Sequence, residues 1–472
     1  MINIPLFFLL LSTSFEEEKL VFLLTLFRHG ARAPTKYFDE GLHLDYILEK
    51  WENPGELTPI GQRMHYALGL RNREKYINQK HFLSEKYDPH EILVYSTKYN
   101  RTLLSAASQL QGLYPFNTGE EITNEQKNIS VPPLELSKTI KSDLDKLNNN
   151  ALPNQMTLVP IRMINDNERK ISIDYIRDCK NRTIEIMEVN YKNSEELQNL
   201  VSNFTKKYNQ TLNQIYEREI EYNYDFIENF CDAFISGTTE KKKMEKINSV
   251  EINQEELLKT CFELMKLEYK DHTSGDKERT IPTLEISKII KEFIHYMKKR
   301  IDADISGENI KEKLEDYSRP KMLMISGHDY TISMWEMFFI KVFYNNNDTK
   351  FEFPKFASQL SLEVVTENNT DSSKVKNYKD YTINCYLNDN LFFNKSVDEF
   401  ISIVESNIFS DEQIDEYCGI KNNGNDKTDS DSKGPYFTYM IIFCVTSVLF
   451  IIIMAFFIIK GNKNKSGEEL LL

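Results

Sequence analysis

The stretch Leu20 to Phe27 is apolar at every position but Thr25, and it runs straight into Arg28-His29-Gly30-Ala31-Arg32-Ala33-Pro34. An apolar run of this kind reads as a buried strand, and the glycine and proline beyond it read as a tight exit. The chain must therefore build a core around this strand while holding a histidine between two arginines at its end. Nearby cations disfavour the imidazolium form and keep the ring neutral and nucleophilic. Guanidinium groups in such a place call for an anion, and their planar fork suits phosphate.

Two later stretches repeat the pattern. Ile92 to Tyr95 reads as a short buried strand, after which Asn100-Arg101-Thr102 opens a helix that Tyr114-Pro115 closes. Met322 to Ile325 reads as another, ending in Ser326-Gly327-His328-Asp329 before a helix rich in aromatics. Ligands of open α/β sheets bind outside the carboxyl ends of the strands. Arg28, His29, Arg32, Arg101, His328 and Asp329 can therefore meet at one site.

The remaining pattern is consistent with that class. Thr58 and Pro59 form an N-cap and first turn for a helix whose apolar face is Ile60, Met64, Ala67 and Leu68. Met156 to Ile161 predicts a strand or extended edge. From Ser194 to Lys266 the pattern is helical and charged, with apolar stripes at Leu197, Leu200, Val201 and Phe204 and at Leu257, Leu258, Cys261 and Leu264. Thr283 caps a further helix, and Leu360 to Thr366 and Tyr381 to Tyr386 are extended before a helix near Val397 to Val404.

Phosphoryl transfer needs an in-line nucleophile, positive charge on the equatorial oxygens and an acid for the leaving oxygen. His29 can attack, forming a phosphohistidine. Arg28, Arg32 and Arg101 can hold the phosphate, with His328 as a further donor. Asp329 can protonate the departing alkoxide and then serve as base for the water that attacks next. The arginines supply the positive charge, so no metal and no other cofactor is expected.

Arg28-His29-Gly30-x-Arg32-x-Pro34 and His328-Asp329 resemble the two signature motifs of the histidine acid phosphatase family, branch 2 of the histidine phosphatase superfamily. Gly55-Glu56-Leu57-Thr58-Pro59-Ile60-Gly61 is similar to its second block. Ser96-Thr97-Lys98-Tyr99-Asn100-Arg101-Thr102 is similar to the block that supplies its third phosphate-binding arginine. The resemblance implies an α/β fold, a central mixed sheet flanked by helices (phosphoglycerate mutase-like) with an inserted, mainly α-helical cap. It also implies hydrolysis of phosphate monoesters at acid pH. Its lysosomal members share a layout of signal, body, span and tail. A bridge between Cys179 and Cys418 resembles one in the family. Cys231 and Cys261, both in the cap, are paired here as a second bridge, which leaves Cys385 free. The chain departs from the family at Asn100, where an acidic residue is usual, and at Gln359, where no cysteine stands nearby.

Both ends of the chain carry apolar runs. Ile4 to Leu11 followed by Ser12-Thr13-Ser14 resembles a secretory signal peptide. Tyr436 to Ile459 is long and apolar enough to span a bilayer, with Lys460, Lys463 and Lys465 behind it. The expected organisation is a signal peptide at 1–14, an α/β catalytic core at 15–116 and 282–420, a helical cap at 117–281, a linker at 421–435, a transmembrane helix at 436–459 and a tail at 460–472. The organisation expected is that of a type I single-pass protein, lysosomal, vacuolar or at the cell surface, with its body outside the cytosol. Eight Asn-x-Ser/Thr sequons in the body fit a secretory route, although Asn100, beside Arg101, is expected to stay unmodified. The net charge of −14 argues against a nucleic-acid partner. The expected partners are a small phosphate monoester and the membrane, with a homodimer among the allowed assemblies. Two alternatives stand beside an acid phosphatase: a phytase or inositol polyphosphate phosphatase, and a catalytically inactive membrane receptor or adhesion protein. His29 and His328-Asp329 are intact, which weighs against the second.

Overall fold

The apolar run forms the middle of the sheet. In the computed structural model of the chain, residues 18–35, 51, 53–164, 193–274, 280–307, 320–347, 350–367 and 377–418 are described, and strand β1 (Glu18–Arg28) is buried from Leu20 onward. The other strands are β2 (Ile92–Ser96), β3 (Arg162–Met163), β4 (Met322–Gly327), β5 (Gln359–Glu367), β6 (Tyr381–Leu387) and β7 (Asn390–Ser396). Their order across the sheet is β3-β2-β4-β1-β5-β6-β7. The pairs β3–β2, β2–β4 and β4–β1 are parallel, and the remaining three are antiparallel, so the sheet is mixed.

Alternation along β1 divides the core into two layers. Leu23 and Phe27 face a layer that includes Ala106, Leu110 and Leu113 of α2 (Asn100–Leu113) and Tyr76 and Ile77, which follow α1 (Pro59–Arg73). Phe22, Leu24 and Leu26 face the other layer, built from α7 (Thr280–Ser306), α8 (Asp329–Tyr344) and α9 (Val397–Asn407). Each fully buried large apolar side chain contributes roughly 1.5–3 kcal/mol. A strand covered on both faces is therefore a firm base for the residues at its end.

Beyond the short helix α3 (Lys138–Asp145), a separate apolar cluster unites α4 (Glu195–Tyr216), α5 (Tyr224–Thr239) and α6 (Gln254–Ser274), and it contains the predicted stripes. Cys231 on α5 is disulfide-bonded to Cys261 on α6. Cys385 on β6 is a buried free thiol, as expected. Cys418 is disulfide-bonded, while Cys179, its expected partner, lies outside the described residues.

The structure differs from the sequence reading in several places. The inward face of α1 is Gly61, His65, Gly69 and Asn72, while Ile60 is 39% exposed. This face lies against backbone and polar groups, where small and hydrogen-bonding residues fit better than aliphatic ones. The strand expected at Met156 to Ile161 is instead the pair Arg162–Met163, which extends the main sheet alongside β2. Helix α7 begins at Thr280, so Thr283 lies inside it. Strand β7, unforeseen, closes a hairpin with β6.

The chain divides into a unit Met1–Gly419 and a unit Ile420–Leu472. The second lies outside the described residues and contains the expected linker, span and tail; the expected signal peptide also falls outside them. Among the described residues, no helix is long and apolar enough to cross a membrane.

Candidate active site

Parallel strands β1, β2 and β4 stop in register, with Arg28 opposite Gly327 and Ser96 opposite Ser326. The ladder continues one step beyond the strands: the N–H of His29 donates to the Gly327 carbonyl (2.9 Å) and that of Thr97 to the Ser326 carbonyl (3.2 Å). His29, Thr97 and His328 thus leave the sheet at the same edge. Gly30 makes this exit possible, because a Cβ there would stand 2.4 Å from the Gly61 carbonyl oxygen. The N-terminus of α1 is thereby pressed against the loop, and the Thr58 N–H donates to the Ala31 carbonyl at 3.0 Å. Thr58 also caps α1 as expected, accepting from the Gly61 N–H.

His29 is buried, with Nδ1 2.9 Å from the Gly30 carbonyl. A carbonyl only accepts, so Nδ1 carries the hydrogen and Nε2 keeps its lone pair. Burial, and then Arg28, Arg32, His328 and Arg101, hold this imidazole well below its ordinary pKa. The environment thus favours the neutral ring, the form that nucleophilic attack requires. Beneath it His65, fully buried, places Nε2 3.1 Å from the Arg28 carbonyl and Nδ1 3.1 Å from the Gln109 side-chain amide. Burial lowers His65 to about 4, so the ring is neutral and has one N–H for two facing acceptors, the Arg28 carbonyl at the strand end and Gln109 Oε1.

The arginines are held by protein groups on both sides of the site. Arg28 donates through Nη1 to the Pro354 carbonyl (2.7 Å) and through Nη2 to Oδ2 of Asp329 (2.6 Å). Arg32 forms a two-pronged pair with Asp232 on α5, at 3.1 and 2.9 Å. The Nε atoms of Arg28 and Arg32 are buried donors that meet no acceptor among the described residues, an arrangement an anion would relieve. The Arg101 guanidinium lies 4.4 Å from the ring of Tyr99, and Arg28 lies 4.4 Å from the ring of Phe356. His328 places Nε2 3.1 Å from Thr97 Oγ1, and its ring stands edge-on to that of His29 with centroids 5.5 Å apart. Burial first, and Arg101 next, lower His328 to about 3.

Asp329 opens α8. Its Oδ1 accepts from the Tyr330 N–H (2.8 Å) and from the Tyr269 hydroxyl on α6 (3.0 Å). Burial by itself would raise this carboxyl, but Arg28 and then Arg32 outweigh it and hold it below the usual range. Three guanidiniums against the carboxylates of Asp329 and Asp232 leave the centre with one net positive charge.

All six residues expected from the sequence therefore meet at one edge of the sheet. Sequence reasoning missed Asp232 and Tyr269, which approach from the α5–α6 cluster; Asp232 is 200 residues from Arg32, and the nearest legible landmark is its neighbour Cys231. Tyr99 and Phe356, which face the guanidiniums, carried no signal either. The Asn100 side-chain amide donates to Glu56 at 3.1 Å, beside the block that holds Arg101.

The strand-end histidine, its flanking arginines and the His-Asp pair thus lie together at one edge of the sheet. The chain belongs to the histidine phosphatase superfamily (branch 2), whose family model matches residues 19–378. It is 37% identical over 133 residues to a lysosomal acid phosphatase of Xenopus laevis, a match that covers 28% of each chain. A lysosomal acid phosphatase of Homo sapiens is 36% identical over 118 residues, 25% of this chain and 26% of that one. The matched segment thus spans about a quarter of the length of these relatives. Among solved structures, the phytase from Citrobacter braakii covers 85% of this chain and 100% of its own, with a TM-score of 0.51 and 11% identity. The Hafnia alvei phytase in complex with myo-inositol hexakis sulphate gives a TM-score of 0.51 at 12% identity. At that identity the likeness is one of fold.

Proposed function

We propose that this chain is an acid phosphatase that hydrolyses phosphate monoesters through a phosphohistidine, with His29 as nucleophile and Asp329 as general acid and base. The observation that carries the reading is the 2.9 Å contact of His29 Nδ1 with the Gly30 carbonyl: a carbonyl only accepts, so Nδ1 bears the hydrogen and Nε2 is left as an attacking lone pair among three arginines. The Nε2 lone pair attacks phosphorus while the ester P–O bond breaks, and the Asp329 carboxyl gives its proton to the departing oxygen. Water then attacks the phosphohistidine, its proton passes to the Asp329 carboxylate, and the P–N bond breaks to restore His29 and release inorganic phosphate. Arg28, Arg32, Arg101 and His328 hold the non-bridging oxygens throughout.

Acid pH follows from the charge balance. In the free site Arg28 keeps Asp329 ionised. A phosphate group that engages Arg28 loosens this grip, and a monoester monoanion, abundant below its second pKa of about 6, brings the missing proton. The relatives named lysosomal acid phosphatase support an acidic compartment of the secretory route, reached through a signal peptide at 1–14 and retained by a span at 436–459. A phytase reading is disfavoured by the charge balance: Asp232 and Asp329 each pair with an arginine of the site and leave little spare positive charge for a polyphosphate.

The test is a pair of substitutions. His29→Ala should abolish hydrolysis of aryl and alkyl phosphates alike while the protein stays folded, and retained turnover would refute the nucleophile. Asp329→Asn should slow alkyl esters far more than activated aryl esters, whose leaving groups need little protonation.

A further inference from the structure

We propose that Tyr269 is a positioning residue for Asp329: by occupying Oδ1, its hydroxyl confines the transferable proton to Oδ2, the oxygen that faces Arg28 and the arriving phosphate. This rests on the reading of Asp329 as the acid and base of the reaction.

A carboxylate oxygen accepts comfortably along two lone-pair directions. On Oδ1 both are used, by the Tyr330 N–H at 2.8 Å and the Tyr269 O–H at 3.0 Å. Oδ2 instead makes the 2.6 Å ion pair with Arg28. While Arg28 holds Oδ2 no proton is stored there. When a substrate phosphate draws Arg28 away, Oδ2 is the one oxygen with a vacant lone pair, and it protonates. That proton moves to the ester oxygen as the P–O bond breaks, and the water that attacks the phosphohistidine returns a proton to the same atom.

Without the Tyr269 hydroxyl, either oxygen could take the proton, including the one turned away from the reaction. The carboxylate would also lose a hydrogen bond made to its charged form, which raises its proton affinity. The groups that face Asp329 are Arg28 from β1, Arg32 from the following loop, His328 before it, the Tyr330 backbone, and Tyr269 from α6. Asp232 on α5 acts at one remove, through Arg32. Of these, Tyr269 can be altered without touching a phosphate-binding cation. Its ring is fixed by packing 5.5 Å from that of Phe353 and 6.3 Å from that of Tyr330, so a phenylalanine keeps the packing and removes only the donor.

The experiment compares Tyr269→Phe with the unaltered chain, measuring kcat and KM for an alkyl phosphate and an aryl phosphate from acid to neutral pH. In Tyr269→Phe both limbs of the alkyl kcat profile should move towards higher pH by about one unit, the scale of one hydrogen bond to a charged group. KM should change little, and the aryl profile should move only on its acid limb, where Asp329 acts as base. Tyr269→Leu, which also removes the ring, should show the same shift plus a lower melting temperature. Superimposable profiles, or a uniform loss of kcat with both limbs in place, would overturn the proposal. Asp329→Asn separates the two levels. If it leaves alkyl turnover intact, the acid assignment itself has failed. If it abolishes that turnover while Tyr269→Phe shifts nothing, the positioning role alone has failed.

Discussion

Replacing Asp232 with asparagine keeps the shape of the group that grips Arg32 and removes its charge. Asp232 contacts both terminal nitrogens of that guanidinium at 3.1 and 2.9 Å. An anion held on the opposite side of the guanidinium then lies on the order of 7 Å from the carboxylate, and two unit charges at that separation repel by about 2.4 kcal/mol at an effective dielectric of ~20. The Asp232 side chain is 22% exposed, so solvent and salt reduce this to roughly 1 kcal/mol per anionic charge. A monoester monoanion should therefore bind about fivefold more tightly to Asp232→Asn, and a dianion about twenty-five-fold. Because the monoester gains its second charge near pH ~6, the effect has a distinct shape: KM of the variant falls modestly in acid and much further at neutral pH. The assay is KM for one aryl phosphate across that range, with a melting curve at each pH to register the destabilisation from the half-broken pair. A KM curve that runs parallel to that of the unaltered protein would show that Asp232 holds Arg32 in place without tuning the charge of the site.

Other expectations follow from the core. Glu336 on α8 is fully buried, accepts one hydrogen bond from the Glu352 N–H, and is pushed well above its ordinary pKa, chiefly by burial. A carboxyl raised in the folded state contributes stability below its unfolded pKa of 4.5 and loses it as pH climbs towards the folded value. Glu336→Gln should therefore melt near the unaltered protein in acid and above it at neutral pH; equal pH slopes would refute the assignment. Removing the Cys231–Cys261 bridge, which spans a separation of 30 residues, should cost the folded state roughly 3–4 kcal/mol on the chain-entropy model. Hydrogen exchange should then show α5 and α6 losing protection while β1 and β4 keep it. Cys385, buried and pushed well above the ordinary thiol pKa by burial, should resist alkylation until the sheet unfolds, and labelling of the native protein would contradict its placement.

The site was legible where its residues are tied to a strand end. Arg28, His29, Arg101, His328 and Asp329 each follow a short apolar run, and parallel register brings such ends together whatever lies between them in sequence. The inward face of α1 was misread because amphipathic reasoning seeks aliphatic residues. Here the partner surface is strand-end backbone, which favours Gly61, and the buried carbonyl of Arg28, which favours His65. Asp232 and Tyr269 could not be found from periodicity. Each lies on a helix whose legible signal is its packing face, and their roles depend on where that helix docks. The edge strand Arg162–Met163 was missed because two residues leave no alternation to read.

The disulfide between α5 and α6 has a consequence for the history of the molecule. Each of those helices sends one side chain into the centre, Asp232 to Arg32 and Tyr269 to Asp329. His29 and the three arginines are carried by the strand-edge framework and its adjoining helix, and need no thiol chemistry. A chain synthesised where thiols stay reduced would thus own a finished reaction floor beneath an unfastened ceiling. Closing that one cysteine pair therefore ties together the two helices that reach Arg32 and Asp329, so one covalent bond sets the spacing of two contacts made on different parts of the strand edge.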